Sequence, residues 1–337
     1  MKLDGSVSNQ LSDARRSAEL LETAGYSGGF VAELAHDPFL PLVLAADATE
    51  NVELGTSIAV AFARSPMTVA NTAWDLQQQS NGRFILGLGS QIKPHITKRF
   101  SMEWSKPAAR MREYVQALHA IWDTWLTGDR LDFRGDFYTH VLMTPMFSPN
   151  NKTFPGKPKV FLASVGPLMT QVVGEVADGW FSHGFTTAEY MKDVSLPALE
   201  KGVDKAGRQM SDVEVSLPAM IVTGATEEEM TAAADGVRKQ IAFYGSTPAY
   251  KGVLDHHGWG DIQPELNRMS KEGKWDEMAT MIDDTMLDTI GCVAPVDEIA
   301  DKLVDRYGSL VDRLTFYAPY ETAPELWGPV IERLQQA

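Results

Sequence analysis

The sequence predicts an α/β protein built as a single (β/α)8 barrel with insertions, and three observations lead there. Short apolar runs alternate with helix-length segments along the whole chain, which is the signature of a parallel sheet covered by helices. The runs are apolar at consecutive positions, as in Ile85-Leu86-Gly87-Leu88, so both faces are buried. About eight such runs fit into 337 residues, and a barrel of this type reaches that length as one domain.

The elements follow in order. Lys2–Asp4 is a short first strand. Gln10–Ala24 is a helix with Leu11, Ala14, Ala18, Leu21 and Ala24 on one face, stopped at Gly25. Gly28–Glu33 is the second strand, and Asp37-Pro38 caps and starts the next helix. Val52–Phe62 is the third strand. Ser65-Pro66 repeats the cap signal, Asn81-Gly82 ends that helix, and Arg83–Gly89 is the fourth strand. The small residues at the end of this strand suggest room for a ligand's flat face and phosphate. Pro107–Leu126 is the clearest helix, because Met111, Val115, Leu118, Trp122 and Trp125 recur every three or four positions.

Leu131–Thr139 alternates around Gly135 and reads as a short hairpin outside the main repeat. Thr144–Pro158 is a Pro- and Asn-rich loop. Lys159–Ser164 is the fifth strand, Gly166-Pro167 starts a helix, and Gly179–His183 is the sixth strand. Thr187–Ala206 is helical, Val213–Thr223 is the seventh strand, and Asp312–Tyr317 is the eighth. Gly245–Asp288 departs from this rhythm and reads as an insertion with two short helices and the loop HHGWGD. The domain expectation is therefore one domain over residues 1–337 with an insertion near 245–288. An open doubly wound sheet is the alternative, weakened because no G-x-G-x-x-G opens a helix.

Composition narrows the function. The chain is 44% hydrophobic, which excludes disorder, and its net charge of −15 argues against nucleic-acid binding through phosphate contacts. An anionic ligand would need a local basic patch. Cys292 is the only cysteine, so disulfides and Cys-rich zinc sites are excluded and a buried core thiol is expected. The first residues carry no signal-peptide pattern, and no apolar run approaches the ~20 residues of a membrane span. A cytoplasmic protein is expected.

In a barrel the active site lies at the C-terminal ends of the strands. That rule selects Glu33 and His36 after the second strand, Ser57 and Ile58 in the third, Ser90, Gln91 and His95 after the fourth, and Val165 and Gly166 after the fifth. It adds His183 after the sixth and Phe316 or Tyr317 at the eighth. No metal site is expected: the first strand lacks His, and adjacent His256 and His257 would point to opposite faces. There is no G-x-S-x-G elbow for nucleophilic catalysis.

LGTSI in the third strand, R-x-P before a helix, S-x-GRF-x-LGLG into the fourth strand, P-x-x-R-x-x-E on the long helix, SVGP and VADGW follow one another in order. In this order the chain resembles the bacterial luciferase-like family, over nearly its whole length, and within it the branch that uses the deazaflavin coenzyme F420. The resemblance implies a (β/α)8 TIM barrel with a tricyclic ring at the strand C-termini, hydride transfer, a small-molecule substrate, and a homodimer by family analogy; no nucleic-acid or membrane partner is expected, on charge and hydropathy. It implies a non-prolyl cis peptide at Ser57-Ile58 backing the ring. Ser90, Gln91, His95, Val165 and Gly166 would hold the coenzyme's tail, with Lys93, Lys98 and Arg99 offsetting its charge. Glu33 would sit beside the ring.

One departure stands out. Glucose-6-phosphate dehydrogenases of this type carry Asp-His after the second strand and Glu after the fourth, where this chain has Glu33-Leu34 and Ile92. Glu33 and His36 are the replacements expected for proton handling, and a sugar-phosphate substrate is not expected. Trp259 in the insertion would cover the substrate. The alternatives are an FMN-dependent luciferase-like monooxygenase and a barrel that binds a flavin-like ligand without catalysis.

Overall fold

The structure, a computed structural model, describes residues 1–149 and 155–336. The chain forms two compact units, one of Gly5–Phe181 with Ala198–Glu214, the other of Met1–Asp4, Ser182–Pro197 and Val215–Ala337. The strands in chain order are β1 (Lys2–Ser6), β2 (Gly28–Val31), β3 (Glu53–Thr56), β4 (Ala59–Val60), β5 (Phe84–Gly89) and β6 (Phe133–Arg134). They continue with β7 (Thr139–His140), β8 (Lys159–Ala163), β9 (Gly179–Phe181), β10 (Glu214–Val222), β11 (Cys292–Val293) and β12 (Arg313–Tyr317).

In the first unit the parallel order is β2-β3-β5-β8-β9, with β4 also pairing β5. Every residue of β2 and β5 is buried, as runs apolar on both faces require. Helices connect the strands. Helix Pro107–Thr127 buries Met111, Val115, Leu118, Trp122 and Trp125, the stripe read from its spacing. It ends at Gly128 in the left-handed conformation that glycine adopts without penalty. Arg110 and Glu113 of P-x-x-R-x-x-E clamp the β6–β7 hairpin. Glu113 accepts the backbone N–H groups of Asp136, Phe137 and Tyr138, and Arg110 Nε donates to Tyr138 Oη at 2.8 Å. A Cβ on Gly135 would lie 2.1 Å from Glu113 Oε1, so the clamp needs glycine there.

In the second unit the order is β11-β10-β12-β1, all parallel. Asp4 and Arg313 form a bidentate ion pair, both contacts 2.7 Å and both side chains almost fully buried. The residues read as an insertion carry short helices at Lys251–His256, Gln263–Lys271, Trp275–Ala279 and Asp284–Ile290, more than the two expected. Val253, Leu254, Leu266, Met278 and Ile282 join Met220 and Val222 of β10 in one apolar cluster.

Several elements differ from expectation, and four of these differences have a local reason. Val52–Phe62 is not one strand; it breaks after Thr56, and Ala61–Ala63 is a 3-10 turn. The helix expected from Pro38 begins at Leu40, with Asp37 Oδ1 accepting from the N–H groups of Phe39, just before it, and of Leu40, its first residue. The helical stretch after Thr187 contains a π turn at Met191–Ser195 just before Pro197, whose missing N–H removes a regular hydrogen bond. The two-residue β11 is too short to show a period and went unread. Residues 150–154 of the expected loop Thr144–Pro158 lie outside the described residues. Among the described residues no helix is long and apolar enough to cross a membrane.

Candidate functional site

The site residues read from the sequence between Glu33 and Gly166 all lie in the first unit, on segments that leave adjacent parallel strands at the same end. β3 stops at Thr56. Its hydroxyl donates to Gly87 O at 2.6 Å and accepts from Gly87 N at 3.0 Å, bridging to β5 where regular pairing ends. The Ser57-Ile58 peptide that follows is cis. Ser57 N donates to Val31 O at 2.8 Å and Glu33 N to Ile58 O at 3.3 Å, so the bulge is tied to β2. Pairing with β5 resumes at Ala59↔Leu88 and Val60↔Gly89. Ser57 and Ile58 are half-buried, and Ile58 packs on the cluster of Phe30, Ile85, Phe161 and Phe181.

The small residues of LGLG serve this bulge, which corrects the expectation that they leave room for a ligand. A Cβ on Gly87 would fall 1.7 Å from Thr56 O, and one on Gly89 would fall 2.7 Å from Ile58 Cδ1. The protein's own backbone and Ile58 occupy that space.

Glu33 is buried, and its Oε2 accepts from Val60 N and from Arg64 Nη1, both at 2.7 Å. Arg64 Nη2 also donates to Asp37 Oδ2 at 3.0 Å. Burial works against the Arg64 charge, and Glu33 and Asp37 outweigh it, so the guanidinium stays protonated above its ordinary range. Arg64 went unread as a functional group; the R-x-P motif signalled only the helix that follows. His36 is exposed, and its Nε2 lies 3.1 Å from Gln10 Nε2. An amide nitrogen can only donate, so in this pairing His36 Nε2 accepts and Nδ1 carries the ring proton.

After β5, Ser90 and Gln91 are half-buried and His95 is exposed. Gln91 has φ 57°, and Ser90 Oγ donates to Gln91 O at 3.2 Å. His95 opens a π turn, His95–Arg99. Arg99 Nη2 donates to Leu34 O at 2.5 Å, which joins this segment to the one after β2. Residues 90–102 contain Lys93, Lys98, Arg99 and His95 and no Asp or Glu, a local excess of positive charge in an acidic chain. After the neighbouring strand β8, Gly166 is the N-cap of helix Pro167–Val176. No side chain caps that start, and nothing lies within 4 Å of where a Gly166 Cβ would be. An uncapped helix start with open space in front of it suits an anion.

In the second unit, His183, Tyr244, Tyr250 and Tyr317 form a ring cluster. Only His183 and Tyr317 were singled out by the strand-end rule; Tyr244 and Tyr250 follow no sequence period that marks them. Trp259 stacks on His257 at 4.7 Å and packs against the unit's apolar cluster. His257 Nε2 pairs with Thr187 Oγ1 at 2.8 Å, and His256 Nε2 lies 3.3 Å from Asp193 Oδ2. The adjacent histidines thus serve separate partners. Among the described residues no group of three or more His, Cys, Asp or Glu could hold a metal ion.

Residues 2–313 match the luciferase-like monooxygenase family. The chain belongs to that family. It is 56% identical over 314 residues to the uncharacterized protein Rv1360 of Mycobacterium tuberculosis, covering 93% of this chain and 92% of the relative. It is 30% identical over 186 residues to the F420-dependent glucose-6-phosphate dehydrogenase of Nocardia farcinica, 53% of each chain. Among solved structures it resembles the coenzyme F420-dependent tetrahydromethanopterin reductase of Methanopyrus kandleri, with TM-score 0.78, 17% identity, and 99% and 97% of the two chains covered. The fold of this luciferase-like protein is thereby the (β/α)8 TIM barrel read from its strand–helix alternation.

Proposed function

We propose that this luciferase-like protein is an F420-dependent oxidoreductase that moves a hydride between the coenzyme and a small or medium organic molecule. The observation that carries the reading is the acid-free segment 90–102 after β5, with three Lys or Arg side chains, and the uncapped helix start at Gly166 after the neighbouring strand β8. In a chain of net charge −15, this is where an anionic tail finds both cations and free N–H groups. The choice of F420 is supported by relatives such as the F420-dependent dehydrogenase of Nocardia farcinica.

The residues fit such a group. The open space at Gly166 is a place a side chain would fill, and the half-buried Ser57–Ile58 bulge offers an apolar shelf. Ser57 and Ile58 would back the ring, while Ser90, Gln91, His95, Val165 and Gly166 would hold the tail. Bound F420 would supply the hydride chemistry. Glu33 would position the site by fixing Val60 N–H and Arg64. His36, exposed and able to exchange its ring proton with solvent, would handle the proton. We propose one functional domain over residues 1–337, and a homodimer as the acting species, which sedimentation would check.

The experiment is to titrate the purified protein separately with F420 and FMN. Tight F420 binding, with F420-linked turnover that drops in His36→Ala, supports the reading. Tight FMN binding without F420 affinity overturns it in favour of the second reading, an FMN-dependent monooxygenase, which the description of the matched family favours. F420 binding without reduction of any alcohol, enone or imine would leave a ligand-binding barrel.

A further inference from the structure

A second set of groups lies wholly within the unit that contains Ser182–Pro197 and Val215–Ala337. His183 follows β9 by two residues. Phe185 N donates to His183 Nδ1 at 3.0 Å. A ring nitrogen that accepts from an N–H carries no proton, so the neutral imidazole holds its proton on Nε2. His183 Nε2 is 3.2 Å from Tyr250 Oη, so the imidazole donates and the phenol oxygen accepts. Tyr250's own proton is then left to donate elsewhere.

The surroundings select what could receive it. The Tyr250 ring stacks on His183 at 4.5 Å, and the Tyr244 ring meets His183 edge-on at 4.6 Å. Tyr244 Oη and Tyr317 Oη are 2.9 Å apart, a bond that uses one phenol proton and leaves the other. Phe185 lies beside both Tyr244 and Tyr250. Burial pushes His183 down to about 4 and Tyr250 up to about 12, so both stay neutral over the working range. An anion set here would meet the negative faces of aromatic rings and neutral dipoles, with no cation in the cluster. A neutral acceptor oxygen on a flat apolar body meets a donor whose oxygen is already polarised by a second hydrogen bond.

We propose that Tyr250, oriented and polarised by His183, donates a hydrogen bond to the oxygen of an uncharged carbonyl substrate whose body packs on the rings of Tyr244 and Tyr317. This rests on the oxidoreductase reading, for which it names the substrate class: neutral, planar, carbonyl-bearing molecules rather than carboxylates or phosphate esters. Tyr250 keeps its proton; its part is to bind and orient the oxygen.

The test uses the full chain without coenzyme and two probes with the same ring, acetophenone and benzoate. Binding is followed by calorimetry, and the carbonyl of ¹³C-labelled acetophenone by NMR. Acetophenone is expected to bind at least about tenfold more tightly than benzoate, with its carbonyl resonance shifted downfield in the complex. Tyr250→Phe keeps the stack and loses the donor; a single hydrogen bond predicts about a fivefold to tenfold loss of affinity and disappearance of the shift. Should Tyr250→Phe fail to fold, His183→Phe, which keeps a ring and removes the polarising N–H, is expected to reduce the shift. No acetophenone binding, equal binding of benzoate, or an unchanged carbonyl shift in the folded variant overturns the proposal. F420 binding is titrated separately. Its failure would remove the coenzyme reading while a Tyr250-dependent carbonyl shift would still establish this site.

Discussion

Thr56 Oγ1 holds both the carbonyl and the N–H of Gly87, at 2.6 and 3.0 Å, at the point where β3 stops pairing with β5. Thr56 is fully buried, so its hydroxyl substitutes for a backbone partner in a place water does not reach. Replacing it with Val keeps the shape and strips both bonds, leaving two buried backbone groups on Gly87. The expected cost of Thr56→Val is about 2–4 kcal/mol, read as a shifted midpoint in urea unfolding. Thr56→Ser retains the hydroxyl and is expected to cost about 1 kcal/mol for the lost methyl. Equal losses in the two variants would show that the hydroxyl does not carry the contact.

Glu33 and Arg64 make a second local claim. The Glu33 carboxylate satisfies Val60 N–H and a largely buried guanidinium. Glu33→Ala leaves both without that acceptor and is expected to cost about 3 kcal/mol, while Glu33→Gln keeps an acceptor for Val60 and is expected to cost about half of that. Coenzyme affinity should fall along with stability if this pair positions the bulge. A Glu33→Gln protein with full stability but no proton-linked turnover would instead place Glu33 in the chemistry.

How much of this was legible depended on how far each signal reached along the chain. The Pro107–Thr127 helix was legible because its period runs over many residues, and the strands because they are apolar at consecutive positions between helix-length segments. Gly87 and Gly89 were legible as positions needing small residues, but not for the right reason. Sequence shows that a Cβ is excluded, and only the fold shows that Thr56 O and Ile58 exclude it. The break in Val52–Phe62 was hidden for a similar cause: the run stays apolar through a bulge. The resemblance, not the period, placed the cis peptide at Ser57-Ile58. Tyr244, Tyr250 and Arg64 were not legible, since each acts through partners far away in sequence or through motifs that read as helix starts. The short helices after Gly245 were compressed into two because each runs for only five to nine residues, too short for a clear period.

The lowered His183 pKa has a consequence for acid stability. Burial holds His183 at about 4 in the folded chain, below its ordinary 6.5. Between these values the unfolded chain binds the proton that the folded chain refuses. The His183 contribution is therefore fully present above pH 6.5 and is lost as pH falls toward 4, on the order of 3 kcal/mol. Chemical unfolding followed from pH 7 to pH 4 should show that slope in the wild type and a smaller one in His183→Asn. Identical slopes would mean that the ring takes up its proton in the folded state.

Cys292 gives the last prediction. It lies in β11, paired in register with Ile221, and is fully buried. Burial pushes the thiol up to about 11, with the charges of Arg306 and Lys302 only partly offsetting it. The thiolate, which is the reacting form, is then scarce at pH 8, and the path to it is closed. Ellman's reagent added to the native protein at pH 8 should release little colour over an hour. The same reagent in denaturing guanidinium should report one thiol per chain, matching the single cysteine of the sequence. Graded denaturant should bring the reaction on together with loss of far-UV circular dichroism, because β11 packs in the same unit as β10 and β12. Fast labelling of the native chain would show that β11 opens on its own, and would separate the stability of this edge strand from that of the strands it pairs with.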